Sequence, residues 1–282
     1  ALTPNVLPAK PEPRTWQQLL TSKQRILRRT RLFGGKAAAK LEAMVTTSLQ
    51  QMPGLDEESK YDLTLRVYDL LQYENASYAQ QYLDRVRSVY RRDNPAQQYA
   101  ATRAVIWNLA KAMLIKDEMY VSYLLTRYEK KQRDILKYRV DVANGDRIVY
   151  RHHTSPEFPL PGGRRLRLKI TTQDWMLKLV SHCTFMRKLP SWHRREKGFR
   201  DWYVNLLDRV NLSDPVHYNH AISTLRCLED VSGYREVRYP KMDRAIRQVE
   251  ELLAHPPRVE VEIRRDVLQR ASMRAMESSH VS

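Results

Sequence analysis

The chain predicts a mainly α fold: a multi-helix bundle with a small antiparallel β ribbon inserted near residues 147–170. Three observations carry that expectation. Tyr61, Leu65, Tyr68 and Leu71, then Tyr78, Tyr82, Val86 and Val89, then Thr102, Val105, Ile106, Leu109 and Met113 recur at helical spacing, each set forming one apolar stripe. Short connections join these helices, so their faces must bury against one another. Beyond Val140 the pattern changes to alternating runs around an Asn144-Gly145 turn, as half-buried strands require.

Taken in order, residues 1–13 hold four prolines and read as an extended arm. Thr15 caps a helix to about Thr30, with Trp16, Leu19, Leu20, Ile26 and Leu27 apolar. Gly34-Gly35 breaks it, and a second helix runs to about Gln51 and stops at Pro53-Gly54. Asp56-Glu57-Glu58 opens the central block, its acids suited to the positive end of a helix. Asp93-Asn94-Pro95 is a turn before a helix over 96–114, and one long helix is expected from Lys116 to about Tyr138. Ile148 and Tyr150, then Leu166, Leu168 and Ile170, alternate as strands on either side of an irregular loop containing Pro156, Pro159, Pro161 and Gly162-Gly163. Helices resume near Thr172, with Trp175, Leu179 and Phe185 on the core side. They continue through 199–210 (Trp202, Leu206, Val210) and 214–230, the latter opened by Ser213-Asp214-Pro215. After Gly233 a last helix carries Met242, Ile246, Val249, Leu252 and Leu253 and ends at His255-Pro256-Pro257. Three parts are expected: a Pro-rich arm and basic helical extension (1–54), a helical domain (55–255) and a C-terminal extension (256–282).

With 282 residues, 42% hydrophobic and 29% charged, the chain belongs with soluble globular proteins that bury a sizeable core. No apolar run approaches the roughly 18 to 20 residues that span a bilayer. Residues 1–13 do not read as a secretory signal. Cys183 and Cys227 are too few for a disulfide framework and suit a reducing compartment, so an intracellular location is expected, on the mitochondrial matrix side or in the cytoplasm. The net charge of +17 is local. Residues 14–41 carry eight Lys or Arg and no acid, and residues 164–200 carry eleven against Asp174 and Glu196, which together supply the whole excess. Arg25, Arg28, Arg29, Arg31, Lys36, Arg164, Arg165, Arg194 and Arg195 are therefore candidate contacts for an anionic surface: an acidic protein, a membrane face or RNA.

Catalytic and cofactor signatures are missing from the sequence. There is no CxxC to hold a cluster or a zinc ion, no GxGxxG, no P-loop around Gly34-Gly35-Lys36 and no GxSxG. His182-Cys183 reads as a buried pair of neighbours. His217 and His220 share a helical face without a third ligand, and His152-His153 on a strand point to opposite faces. Asp117-Glu118 reads as a capped or solvated helix start. Most aromatics fall on core stripes, Trp192 and Phe33 excepted, which leaves little for stacking on nucleic acid bases. No catalytic, cofactor-binding or metal-binding residue is expected in this chain.

The central block resembles the helical C-terminal domain of the indolepyruvate:ferredoxin oxidoreductase family, within the 2-oxoacid:acceptor oxidoreductases. The likeness rests on Tyr73-Glu74-Asn75-Ala76-Ser77-Tyr78-Ala79 with Tyr82 and Arg85. It rests further on Arg103-Ala104-Val105, Asn108-Leu109, Lys111, Met113, Lys116-Asp117-Glu118 and Leu125-Thr126. Asn219-His220-Ala221, Ser232-Gly233-Tyr234 and Glu250-Glu251-Leu252-Leu253-Ala254 are similar to the closing segment of that domain, and the likeness spans roughly residues 60 to 255. In that family the thiamine diphosphate, the iron–sulfur clusters and the oxoacid site belong to other domains. The resemblance thus implies a non-catalytic packing module whose partner subunits carry the redox cofactors.

The function expected is a structural, accessory subunit of a multisubunit oxidoreductase assembly, a helical scaffold whose arm, basic patches and tail contact other protein subunits. Two alternatives stand beside it: an accessory subunit of another large mitochondrial assembly (a respiratory complex or the mitochondrial ribosome), or a basic nucleic-acid-binding protein.

Overall fold

The computed structural model describes residues 14–154, 157–159, 165–167, 170–214 and 217–254. The arm of residues 1–13 and the extension of residues 256–282 lie outside these. The first two helices start and stop where the local signals place them. Helix α1 (Trp16–Thr30) begins at Thr15, whose hydroxyl accepts the Gln18 N–H. Helix α2 (Gly34–Gln51) folds back on it, and Gly34 permits the close turn. A Cβ there would lie 2.2 Å from the Leu27 carbonyl oxygen, whereas Gly35 faces open space. Gln24 ties the pair together by donating to Glu42 at 2.8 Å. Leu20, Leu27, Ala38, Leu41 and Val45 merge into the same apolar core as the helices that follow.

Three helices then supply the centre. Asp56 caps α3 (Glu57–Tyr73) by accepting the Ser59 N–H at 2.7 Å, and Asn75 caps α4 (Ala76–Arg92) by accepting that of Tyr78 at 3.0 Å. All four residues of the α4 stripe are buried, as are the five of α5 (Ala100–Met113). On α3 the buried face is rotated towards Leu63, Val67 and Leu70, which leaves Tyr61 and Leu65 half-buried. Helix α5 packs against α3 and α4, so its small residues Ala101, Ala104, Ala110 and Ala112 are covered. Polar atoms inside this core are bonded: Tyr82 donates to the Ile106 carbonyl and Tyr78 to that of Met113, both at 2.9 Å. The residue before α5, Tyr99, has φ +53° and offers no side-chain cap. Asp93 caps the helix from a distance, accepting from the Thr102 N–H at 2.7 Å and its hydroxyl at 2.6 Å.

The single helix expected from Lys116 to Tyr138 is two: α6 (Glu118–Thr126) and α7 (Tyr128–Lys137), divided at Arg127, whose backbone is extended. No proline or glycine marks the break. It places Glu129 in the first turn of α7, where its carboxylate accepts from Tyr68 at 2.6 Å and pairs with Lys23 on α1 at 3.4 Å. Tertiary bonds and a favourable helix end outweigh the continuity of the local pattern.

A small ribbon follows. Strand β1 (Arg151–Thr154) pairs antiparallel with β4 (Ile170–Gln173), and β2 (Glu157–Pro159) with β3 (Arg165–Arg167), nested between them. Ile148 and Tyr150 precede β1 rather than belonging to it. Leu168, Pro156, Pro161 and Gly162-Gly163 lie outside the described residues. Tyr150 ties the stem of the ribbon to α7 by donating to Asp134 at 2.9 Å.

Helix α8 (Asp174–His182) packs on α6 and leads through a 3₁₀ turn over residues 184–188 to α9 (Arg194–Arg209). Phe199, Tyr203, Leu206 and Leu207 bury α9 against α5 and α4. The helix expected over 214–230 is regular only in α10 (Tyr218–Leu225), and α11 (Arg238–Ala254) closes the fold through Met242, Ala245 and Val249. Within α8 only Leu177 is buried. Trp175, Leu179 and Phe185, expected on the core side, stand 63%, 65% and 67% exposed. The periodicity located an apolar face correctly, but no described part of this chain covers it.

Candidate functional site

The segment from Arg187 to Glu196 is fixed to the body of the fold by a buried charge network, and the exposed apolar face of α8 lies next to it. Asp117 and Glu118 are adjacent and point to different partners. Asp117 is 1% exposed and caps α6 by accepting the Tyr120 N–H at 2.7 Å. Its two oxygens also receive the Arg187 guanidinium, Nε at 2.5 Å and Nη2 at 3.0 Å. Arg187 in addition donates to the Tyr73 carbonyl and lies 3.8 Å from the centre of the Tyr73 ring. The expected capped helix start is therefore correct for Asp117 and incomplete for Glu118.

Glu118 accepts from His193 Nε2 at 2.9 Å and from Arg235 Nη2 at 2.9 Å. The other ring nitrogen, Nδ1, lies 3.3 Å from Glu196, which also accepts from the Tyr239 hydroxyl at 2.8 Å. His193 precedes α9 with φ +48°, a left-handed conformation that costs a β-carbon residue energy and aims the ring between the two carboxylates. Burial opposes charge on this imidazole, but its bonds to Glu118 and Glu196 outweigh burial and push its pKa up to about 9. Burial likewise opposes charge on Glu196, and the bonds from His193 and Tyr239 bring its pKa down to about 2. At neutral pH the trio is a fixed carboxylate–imidazolium–carboxylate lock. Sequence reasoning missed His193; the signal was a His-x-x-Glu spacing at a helix start, without sign of the acid far upstream.

Arg238, the first residue of α11, borders this lock. It is 7% exposed, its Nε is sealed from water without a partner, and its guanidinium makes no ion pair among the described residues. Across from the 228–237 loop, Lys111 donates to the Leu228 carbonyl at 2.7 Å and the Glu229 carbonyl at 2.9 Å.

The basic residues singled out by sequence divide into two groups. Arg25, Arg28, Arg29, Arg31 and Lys36 are exposed on the α1–α2 hairpin, with Leu32 (92% exposed) and Phe33 (70%) at its turn. Arg29 lies over the Tyr128 ring, and Arg31 reaches the Leu71 carbonyl. Arg194 and Arg195 are exposed at the start of α9, where Arg195 pairs with Asp243. Arg165 is in β3 and Arg164 lies outside the described residues. The hairpin residues thus share a surface, and Arg194 and Arg195 belong to a second one near α8.

Other candidate groups have ordinary environments. His182 is exposed and Cys183 half-buried, not a buried pair. Cys227 is a half-buried thiol whose pKa burial pushes up to about 12. His217 pairs with Asp214 at 2.6 Å. Among the described residues no group of three or more His, Cys, Asp or Glu is placed to hold a metal ion. A cleft of about 320 Å³ beside α5 is lined by polar groups that bond one another, Arg226 to Glu229 at 2.8 Å and Trp107 to Asp62 at 2.5 Å. No helix of the described residues is long and apolar enough to cross a membrane.

The sequence pattern of the family of unknown function DUF6537 matches residues 62–251, from α3 into the last turn of α11. The chain belongs to this family. No curated protein and no solved structure matches it. The DUF6537 match contains the whole charge network and α8, whereas the basic α1–α2 hairpin precedes it.

Proposed function

We propose that this chain is a packing module of a larger oxidoreductase assembly: a helical scaffold that performs no chemistry itself and holds partner subunits or domains that carry the redox cofactors. The observation that carries this reading is the apolar face of α8 and the turn after it. Trp175, Leu179, Phe185 and Leu189 present large side chains to solvent on a segment that the Arg187–Asp117 clamp and the His193 lock hold in place. Large exposed apolar side chains beside charged ones mark protein interfaces, and Lys178, Lys188 and Arg194 are exposed basic residues close to them in the chain. The resemblance of residues 60 to 255 to the indolepyruvate:ferredoxin oxidoreductase C-terminal domain supplies the class of assembly.

Affinity purification from the native source, with mass spectrometry of the intact complex, tests the proposal. Subunits carrying thiamine diphosphate or iron–sulfur clusters are expected to be recovered with the chain, and Trp175→Ser with Phe185→Ser to release them while leaving the helical circular dichroism unchanged. The isolated chain is expected to show no turnover with a 2-oxoacid, coenzyme A and an electron acceptor. Recovery as a free, stable monomer refutes the proposal.

A further inference from the structure

The turn between α1 and α2 exposes two large apolar side chains that the fold does not use. Leu32 is the most exposed large apolar residue among the described ones, and Phe33 beside it is 70% exposed. Phe33 sits at the N-cap of α2 and bonds no helix N–H with its side chain, where a Ser, Asp or Asn would cap the helix as Asp56 and Asn75 do for α3 and α4. Gly34 keeps the turn tight, since a Cβ there would meet the Leu27 carbonyl, so Leu32 and Phe33 form its apex. Leu27, Ala38 and Leu41 anchor both helices in the main core, which fixes the apex before any contact is made.

Cations lie behind this apex in layers. Arg28 and Lys36 are about one helical turn from it and Arg25 and Lys40 about two, roughly 5 and 10 Å at the rise of an α-helix. All four are exposed, and none has an ion pair among the described residues. No Asp or Glu occurs between Arg14 and Leu41 to offset them. Arg29 and Arg31 are turned back on the body, over the Tyr128 ring and to the Leu71 carbonyl. An apolar point with unpaired cations behind it matches the depth profile of an anionic bilayer surface. There, apolar side chains settle roughly 5–10 Å into the boundary of headgroups and acyl chains, and cations stay with the phosphates. A single-stranded nucleic acid would use the cations and Phe33 but has no use for Leu32. An acidic protein would have to supply a socket for a convex point.

We infer that the α1–α2 turn is a membrane-surface anchor. Leu32 and Phe33 enter the boundary of an anionic phospholipid leaflet, and Arg25, Arg28, Lys36 and Lys40 pair with its headgroups. This anchor is separate from the α8 face and does not depend on the scaffold reading.

Co-sedimentation of the full chain with vesicles of phosphatidylcholine alone, and of phosphatidylcholine with phosphatidylserine at about three to one, tests the anchor. The wild type is expected to bind the mixed vesicles at least about 25-fold more tightly than the neutral ones, from about fivefold for each of Arg28 and Lys36. Raising the salt from about 0.1 M to about 0.5 M is expected to release it. Leu32→Ser with Phe33→Ser is expected to weaken the binding roughly 10- to 100-fold. The thermal midpoint of that variant is expected to stay or rise, because a serine at the N-cap can cap α2. Arg28→Gln with Lys36→Gln is expected to remove most of the preference for charged vesicles, and Trp175→Ser with Phe185→Ser to bind as wild type does. The emission that Leu32→Trp adds to the wild-type spectrum is expected to shift to the blue on the mixed vesicles alone. The inference is overturned by a wild type that ignores the mixed vesicles, by binding that Leu32→Ser with Phe33→Ser retains in full, or by binding lost instead with Trp175→Ser and Phe185→Ser. Binding of oligouridine without binding of the mixed vesicles assigns the cations to nucleic acid and overturns it as well.

Discussion

Replacing His193 with Gln tests whether the lock between Glu118 and Glu196 is ionic. Glutamine keeps one donor and is neutral at every pH, so a buried carboxylate, Glu196, and a half-buried one, Glu118, lose the charge between them. Raising the imidazole pKa from 6.5 to about 9 corresponds to about 3 kcal/mol of preference for the folded state. Glu118 is 30% exposed, and water there screens part of the effect, leaving roughly 2 kcal/mol. Because the folded pKa lies above the unfolded one, this stability is fully present below about pH 6.5 and is lost as pH rises through about 9. The difference in urea-unfolding free energy between wild type and His193→Gln is therefore expected to be about 2 kcal/mol at pH 6 and to shrink towards zero by pH 10. Proton NMR of the His193 ring should give its pKa directly. A ring that titrates near 6.5, or a stability difference that stays constant from pH 6 to pH 10, refutes the ionic account and leaves His193 as an ordinary packing residue.

Three further outcomes follow from the packing. Arg187→Met strands Asp117, 1% exposed, beside its helix, and is expected to cost about 3–5 kcal/mol by urea denaturation, with Arg187→Lys restoring only part because it has neither the fork nor the flat stacking face. Gly34→Ala forces a methyl against the Leu27 carbonyl and is expected to lower stability by about 2 kcal/mol or more, while Gly35→Ala, with open space around it, is expected to be neutral or to gain up to about 1 kcal/mol; differential scanning calorimetry of the pair decides. Asp93→Ala removes the remote cap of α5 and the partner of the Tyr218 hydroxyl, and is expected to cost about 2–3 kcal/mol, seen as faster amide exchange in the first turn of α5.

What the sequence made legible was whatever neighbours in the chain decide. The cap at Thr15, the acidic helix start at Asp56 and the stripes of α4 and α5 are local, and a helix with one apolar side has one way to bury it. The break at Arg127 was not legible, because its cause is a carboxylate seeking Tyr68 and Lys23 from far away in sequence. Periodicity also could not say that Trp175 and Leu179 face outward. It reports that a face is apolar, not what covers it. The candidate site divides the same way. Basic composition located the exposed arginines of the α1–α2 hairpin, but His193 and Arg238 owe their character to groups on other helices. A lone histidine after a tryptophan carries no sign of a glutamate 75 positions earlier.

On the proposed scaffold reading, magnitudes make the α8 face one contact among several. Trp175, Leu179, Phe185 and Leu189 are about half to two-thirds exposed, so covering them yields about 4–8 kcal/mol gross on the usual area scale. Association costs about 4–15 kcal/mol in lost freedom before any affinity appears. The clamp at Arg187 and the lock at His193 reduce the ordering part of that cost, because the segment carrying the patch is already fixed. Even so, this face alone would hold a partner weakly. On the same reading the basic α1–α2 hairpin would be a second contact on the same core, and two contacts on one body raise the effective concentration of each for its partner without a new bond being made. A surface with these energetics suits a member of a multi-contact assembly better than one half of a two-protein complex.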